Sequence, residues 1–121
     1  MDSVQIQMRN ILDEYDKEVQ ETANSVMETV SGQAVKQLKS TSPKGRKGYA
    51  RGWTRKKSKS MGIVTIIVHN SKFAYLTHLL NNGHIIRNKY GTYGRKNGDN
   101  HIGKVEQWAN QEVESEIERK L

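Results

Sequence analysis

The side chains able to do acid–base, nucleophilic or metal chemistry are scattered along the 121 residues rather than gathered. Four histidines, His69, His78, His84 and His101, occupy the second half of the chain. His78 and His84 are six apart, which does not match the i, i+4 face of a helical metal pair, and no thiolate or nearby carboxylate completes a site. Polar contacts around the Gly83 turn are the plainer role for them. There is no cysteine, so thiol catalysis, thiolate metal sites and a disulfide scaffold are excluded. Between residues 31 and 104 the only acid is Asp99, so a paired-carboxylate mechanism would have to recruit Glu14 or Glu106 from helix surfaces. Phosphate-binding loops, dinucleotide fingerprints and nucleophile elbows are absent. A metal-dependent nuclease or other enzyme is the weakest reading, and no cofactor or metal is implied.

What stands out instead is charge. The formal net charge is +7, distributed in three blocks. Residues 1–30 hold 7 acids and 2 bases, residues 31–104 hold 16 bases and 1 acid, and residues 105–121 hold 5 acids and 2 bases. The basic block contains Lys44, Arg46, Lys47, Arg51, Arg55, Lys56, Lys57 and Lys59, interleaved with Tyr49 and Trp53. Cations neutralise phosphates and aromatic faces stack on bases, so a nucleic-acid-binding module using the 44–59 surface is one reading, with Lys44, Arg46, Lys47, Arg55, Lys56 and Lys57 facing DNA. The other is assembly, with the basic block of one copy facing the acidic helices of the next; opposite charges on opposite faces suit head-to-tail contacts. Assembly is favoured.

These residues need elements to hold them. Val4, Met8, Ile11, Leu12, Tyr15, Val19, Ala23, Val26, Met27, Val30, Ala34, Val35 and Leu38 step by threes and fours, which predicts a long helix over 1–40. Asp2 or Ser3 would cap it and Gly32 would bend or break it. Such a rod, roughly 50 Å long, exceeds what one small core can cover. A hairpin over 49–69 follows, its first strand running from Tyr49 to Lys57 with Tyr49, Arg51, Trp53 and Arg55 on one face. Its second strand, Ile63 to Val68, is apolar on both faces and calls for cover on both sides, one the long helix and the other a neighbouring subunit. A short helix over 71–82, capped by Ser71 and stopped by Asn82-Gly83, precedes a strand and glycine-rich mobile loop over 84–102. A helix over 103–121 closes the chain, with Val105, Trp108, Ala109, Val113, Ile117 and Leu121 on one stripe. One domain is expected. Only 34% of residues are hydrophobic, so burial against a partner would help the fold. No apolar run approaches the roughly 20 residues of a membrane span, and the first residues lack a signal-peptide core. A soluble protein of a reducing compartment, with no membrane partner, is expected.

The run from Phe73 to Asn88 carries a resemblance. Tyr75-Leu76-Thr77-His78-Leu79-Leu80-Asn81-Asn82-Gly83-His84, then Arg87-Asn88, the glycine-rich stretch 91–100 and His101-Ile102, are similar to a segment of the small tail-component family of tailed bacteriophages, typified by the gene-ten product of a lambdoid siphophage. Upstream, Ser42-Pro43 and Gly48-Tyr49-Ala50-Arg51-Gly52-Trp53 resemble the family's Ser-Pro and Gly-x-Tyr-x-x-Gly-Trp pattern. The likeness spans about 34–121. Asn81-Asn82 stands where the family usually has an acid before the glycine, and Gly103 where a proline usually starts the last helix, which implies a looser start to that helix.

The resemblance implies an α+β fold, a small antiparallel sheet packed by a long N-terminal and a C-terminal helix, with a short helix between strands. It implies a minor virion protein, without catalytic residues, that forms a homo-oligomeric ring at the head–tail junction as a neck, connector or tail-completion component. It would be made in the bacterial host cytoplasm and sit between portal- or adaptor-side and tail-side structural proteins, with non-specific contact to passing genomic DNA. Interface or motif residues expected on this basis are Tyr49, Arg51, Trp53, Tyr75, His78, Gly83, His84, Arg87, Asn88 and His101. Tyr49 and Trp53, if they are not core, would anchor the interface, since buried aromatics carry much interface energy.

Overall fold

A computed structural model describes residues 3–10, 16–44, 48–60, 63–88 and 91–120, with the backbone alone for 84–88 and 91–96. The fold is α+β. In chain order it comprises β1 (Ile6–Arg9), α1 (Lys17–Thr41), a 3-10 turn (Ala50–Gly52), β2 (Trp53–Ser60), β3 (Ile63–Asn70), α2 (Ala74–Asn82), β4 (Gly83–Asn88), β5 (Gly91–Asn97) and α3 (His101–Lys120). β1, β3 and β2 form an antiparallel sheet in that order, and β4 and β5 form a separate antiparallel pair.

The expected helix over 1–40 is corrected at its start. Residues 6–9 are a strand, with Ile6 opposite Val68 and Met8 opposite Ile66. A spacing of four, Val4 to Met8, fits two strand repeats as well as one helical turn. Ile6, which falls off the helical stripe, is the residue that separates the two: it is buried on the same face as Met8. The helix begins after Asp16, whose carboxylate accepts from the Val19 N–H at 3.0 Å. Its 25 residues span about 37 Å. Ile11, Leu12 and Tyr15 lie outside the described residues. From Ala23 onward the stripe holds, with Ala23, Val26, Met27, Val30, Ala34 and Leu38 all buried. Gly32 neither bends nor ends α1, because i→i−4 bonding continues through it.

In the hairpin, Trp53 opens β2 and Tyr49 precedes the 3-10 turn. Val64, Ile66 and Val68 of β3 are buried against α1, whereas Ile63, Thr65 and Ile67 are half-buried on the opposite side. α2 starts three residues later than expected. Ser71 does not cap it; the Asn70 carboxamide accepts from the Lys72 and Phe73 N–H groups instead. Gly83 ends α2 as expected, with φ of 85° and its N–H bonded to the Leu79 carbonyl. The glycine-rich stretch expected to be a mobile loop is largely strand β5. Its pairing with β4 uses backbone groups, which glycine supplies as well as any residue, and a bulge at Ile86/Arg87 takes up the mismatch.

α1 and α3 pack antiparallel: Ala23 and Met27 lie with Val113 and Ile117, and Gln37 and Thr41 with His101 and Val105. α1 covers β2 and β3, and α3 lies toward the end of β1. Leu121 lies outside the described residues.

At Gly32 an added Cβ would meet nothing closer than the Arg55 guanidinium at 3.9 Å. Gly32→Ala should therefore stabilise the fold by about 0.5–1 kcal/mol through helix propensity and reduced freedom of the unfolded chain, read as a higher urea midpoint at unchanged slope.

Candidate functional site

The chemistry-bearing residues meet where the end of α1, the 48–53 segment and the start of α3 come together. Tyr49 is 0% exposed, Trp53 2% and His101 3%. Their rings pack edge to face with centroids 5.7–6.4 Å apart. Each polar tip is satisfied: the Trp53 indole N–H donates to Ser42 Oγ at 2.8 Å, and the Tyr49 hydroxyl lies 2.8 Å from His101 Nε2. Asp99 Oδ1 lies 2.5 Å from His101 Nδ1 and accepts from the His101 backbone N–H at 3.0 Å. With a neutral imidazole the roles follow: Nδ1–H donates to Asp99, and Nε2 accepts from the Tyr49 O–H.

An aspartate, a histidine and a hydroxyl in line resemble the layout of a nucleophilic triad. The environment argues the other way. Burial, and then the Asp99 charge, push the Tyr49 phenol well above its usual range, so it remains a donor and not a nucleophile. A cavity of about 220 Å³ adjoins Asp99 and His101, but the tyrosine oxygen is enclosed. Among the described residues no three His, Asp or Glu side chains converge to hold a metal. The arrangement locks three elements together.

Three buried polar residues that sequence reasoning missed complete the lock. Asn70 donates to the Tyr49 carbonyl at 2.8 Å while its Oδ1 accepts from the Lys72 and Phe73 N–H groups in the turn that leads into α2. A Cβ at Gly52 would fall 3.0 Å from Asn70 Cγ and closer still to its Oδ1, so glycine is required there. Asn81 Oδ1 accepts from Ile102 N–H at 2.8 Å and Gly103 N–H at 3.4 Å, satisfying the first turn of α3. The looser start expected from Gly103 is thus corrected: α3 begins two residues earlier, tied down by Asn81 and Asp99. Thr77 accepts from the Val4 N–H at 2.7 Å. The one legible signal was Asn81-Asn82 before the Gly83 stop, where the resemblance implied an acid.

The structure disperses the remaining candidates. Tyr49, Trp53 and His101 are core, so the condition for Tyr49 and Trp53 as interface anchors fails. Arg51 is exposed on the 3-10 turn, His78 is exposed beside Asn82, and Gly83 is buried. Tyr75 is 54% exposed, the large apolar side chain standing most clear among the described residues, with its ring edge-on to Phe73. His84, Arg87 and Asn88 are on β4 with side chains outside the described residues, as are Arg46 and Lys47 altogether.

The expected continuous basic face is also broken up. Arg55 and Lys57 point toward α1: Arg55 donates to the Glu28 carbonyl and Ser31 hydroxyl, and Lys57 pairs with the Glu28 carboxylate at 2.7 Å. Lys56 points to the opposite face, and Lys44 donates to the Lys39 carbonyl. Lys57 holds the Glu28 carboxyl below its usual range, first by the hydrogen bond and then by its charge.

A groove of about 320 Å³ runs between α1 and α3 at the other end, floored by Ala23, Met27, Val113 and Ile117. Glu114 and Glu118 stand at its rim, and Arg9 and Asn10 close it beside β1. Among the described residues no helix is long and apolar enough to cross a membrane.

Against known protein families, a model described as "Bacteriophage HK97-gp10, putative tail-component" matches residues 6–83, more than half of the chain. The chain belongs to that family. No curated protein and no solved structure matches it.

Trp53→Ala should cost about 3–5 kcal/mol, and Tyr49→Phe about 1–3 kcal/mol by stranding His101 Nε2, both measured by urea unfolding. The depressed folded-state pKa of Glu28 gives a contribution present above about 4.5 and lost as pH falls through the folded value. Because the pair is exposed, Glu28→Gln should flatten only slightly the stability–pH curve in that acid range, and salt should erase the difference.

Proposed function

We propose that this phage tail component is a structural ring protein of the head–tail junction, a neck, connector or tail-completion part whose mechanism is adhesion rather than turnover. Family membership carries the reading. Three features of the chain support it. Its triad-like cluster is closed and serves packing. Its charge is segregated, as head-to-tail association requires. Its apolar groove and exposed Tyr75 are features of a contact surface rather than of a reaction chamber. Portal- or adaptor-side and tail-side proteins are its proposed neighbours in the virion.

The nucleic-acid reading is retained only as a secondary contact with passing genomic DNA. Its support is the sheet face turned away from α1, where Lys56 and His69 share the surface with Gln7, Thr54, Ser58, Thr65 and the half-buried Ile63 and Ile67, and where no carboxylate lies among the described strand residues.

The direct test is particle content. Mass spectrometry and electron microscopy of purified virions or induced prophage particles should find the chain at the junction in a fixed ring copy number. Particles made without it should show filled heads and unjoined tails. Its absence from complete particles would overturn the reading. A duplex-DNA titration should give binding that weakens steeply with salt; tight binding that is insensitive to salt, or none, removes the secondary contact.

A further inference from the structure

The antiparallel packing of α1 and α3 turns a charge pattern in the sequence into two poles. The start of α1 (Asp16, Glu18, Glu21) lies at the same end as the close of α3 (Glu114, Glu116, Glu118), and acids outnumber bases there although Lys17 pairs with Glu21, Arg119 pairs with Glu116 and Lys120 follows; the two segments are nearly a chain length apart in sequence. At the opposite end are the last turns of α1, the 48–53 segment and α2, held there by the Asn81–Ile102 hydrogen bond. That end exposes Lys39, Lys44, Arg51, Lys72 and Lys104; the acids there among the described residues are Asp99, itself bonded to His101, and Glu106.

Each pole also carries an apolar feature. At the acidic pole it is the groove between α1 and α3, with Glu114 and Glu118 along its α3 side and Arg9 at its β1 end. At the basic pole it is Tyr75, adjacent to Lys72, with Arg51 close by, because the Ser71 N–H bonds to the Gly52 carbonyl at 2.9 Å. A protruding aromatic flanked by cations faces one way, and an apolar slot with carboxylates along its α3 side faces the other. The two are complementary in charge and both are apolar at their centres, and they sit on different surfaces of one chain. Such a contact is heterologous: each copy offers its projection to one neighbour and its slot to the other, and the chain of contacts closes into a ring when the rotation allows.

We infer that the groove between α1 and α3 is the docking site for a second copy of this chain, which inserts Tyr75 between Met27 and Ile117 while its Lys72 and Arg51 meet Glu114 and Glu118. This deepens the ring reading above and names the contact that would build it. Aromatic anchors carry binding energy through desolvation, and rim charges chiefly set orientation and encounter rate.

The test is a charge swap with mixing, on the full chain. One variant reverses the groove rim, Glu114→Lys with Glu118→Lys; the other reverses the projection's surroundings, Arg51→Glu with Lys72→Glu. All four positions are surface residues, and circular dichroism checks that each variant is folded. By analytical ultracentrifugation at low salt, wild type should self-associate. Each variant alone should sediment as monomer, because its two poles now carry like charge. An equimolar mixture should regain association, since reversed rim meets reversed projection and the unreversed pair still fits. Tyr75→Ala should weaken association at least about tenfold with the charges intact. A monomeric wild type, variants that associate alone, or a mixture that stays monomeric would each overturn the inference. Self-association that survives the variants would remove this contact and leave the ring reading standing. Absence of the chain from particles would remove the ring reading whatever the mixture does.

Discussion

Trp53 and Tyr49 carry large apolar rings with one polar atom each, and a ring of that kind enters a core only if its polar atom finds a partner there. That constraint organises this fold. Trp53 needs Ser42, which fixes the end of α1 against the start of β2. Tyr49 needs His101, which in turn needs Asp99, and this fixes the start of α3 against the same segment. Asn70 then holds the Tyr49 carbonyl and the turn at Lys72–Phe73 that leads into α2, so a fourth element is drawn in. With only 34% hydrophobic residues, the chain cannot rely on apolar area alone, and the polar closures specify which elements meet.

The same closures explain why an aspartate–histidine–tyrosine line is not a catalytic site. Catalysis asks for a nucleophile that is accessible and easily deprotonated; here the hydroxyl is enclosed and its proton is held more tightly than in water. The geometry of a relay has been used as a brace. Much the same happens to the cations of β2. Arg55 and Lys57, which in sequence look available for phosphate, are engaged at the surface in fastening β2 onto α1 through Glu28 and Ser31.

The start of α3 lacks a proline and is held by a side chain from elsewhere instead. Proline at the first turn of a helix presets its geometry and removes an N–H that would lack a partner. Gly103 does neither. Asn81 supplies what is missing by accepting the N–H groups of Ile102 and Gly103 through one side-chain oxygen. A neutral amide suits that task in a buried position, where a carboxylate would need its charge balanced. Asn81 and the start of α3 are thus joined although they lie some twenty residues apart in sequence.

The sequence by itself determined the parts whose signal is local. The Ala23–Leu38 stripe, the strand through Ile63–Val68, the glycine stop at position 83 and the run from Tyr75 to His84 that carries the family resemblance were all legible, because each depends on near neighbours in the chain. The boundary between β1 and α1 was not, since a four-residue spacing satisfies both periods until a sheet partner chooses one; Val68 and Ile66 made that choice. The glycine-rich stretch became a strand because β4 offered it backbone partners, which composition does not reveal. The fate of Tyr49, Trp53 and the β2 cations was decided by tertiary structure as well. Whether an aromatic or a cation faces solvent depends on what packs across from it, and the elements opposite these residues come from distant parts of the chain.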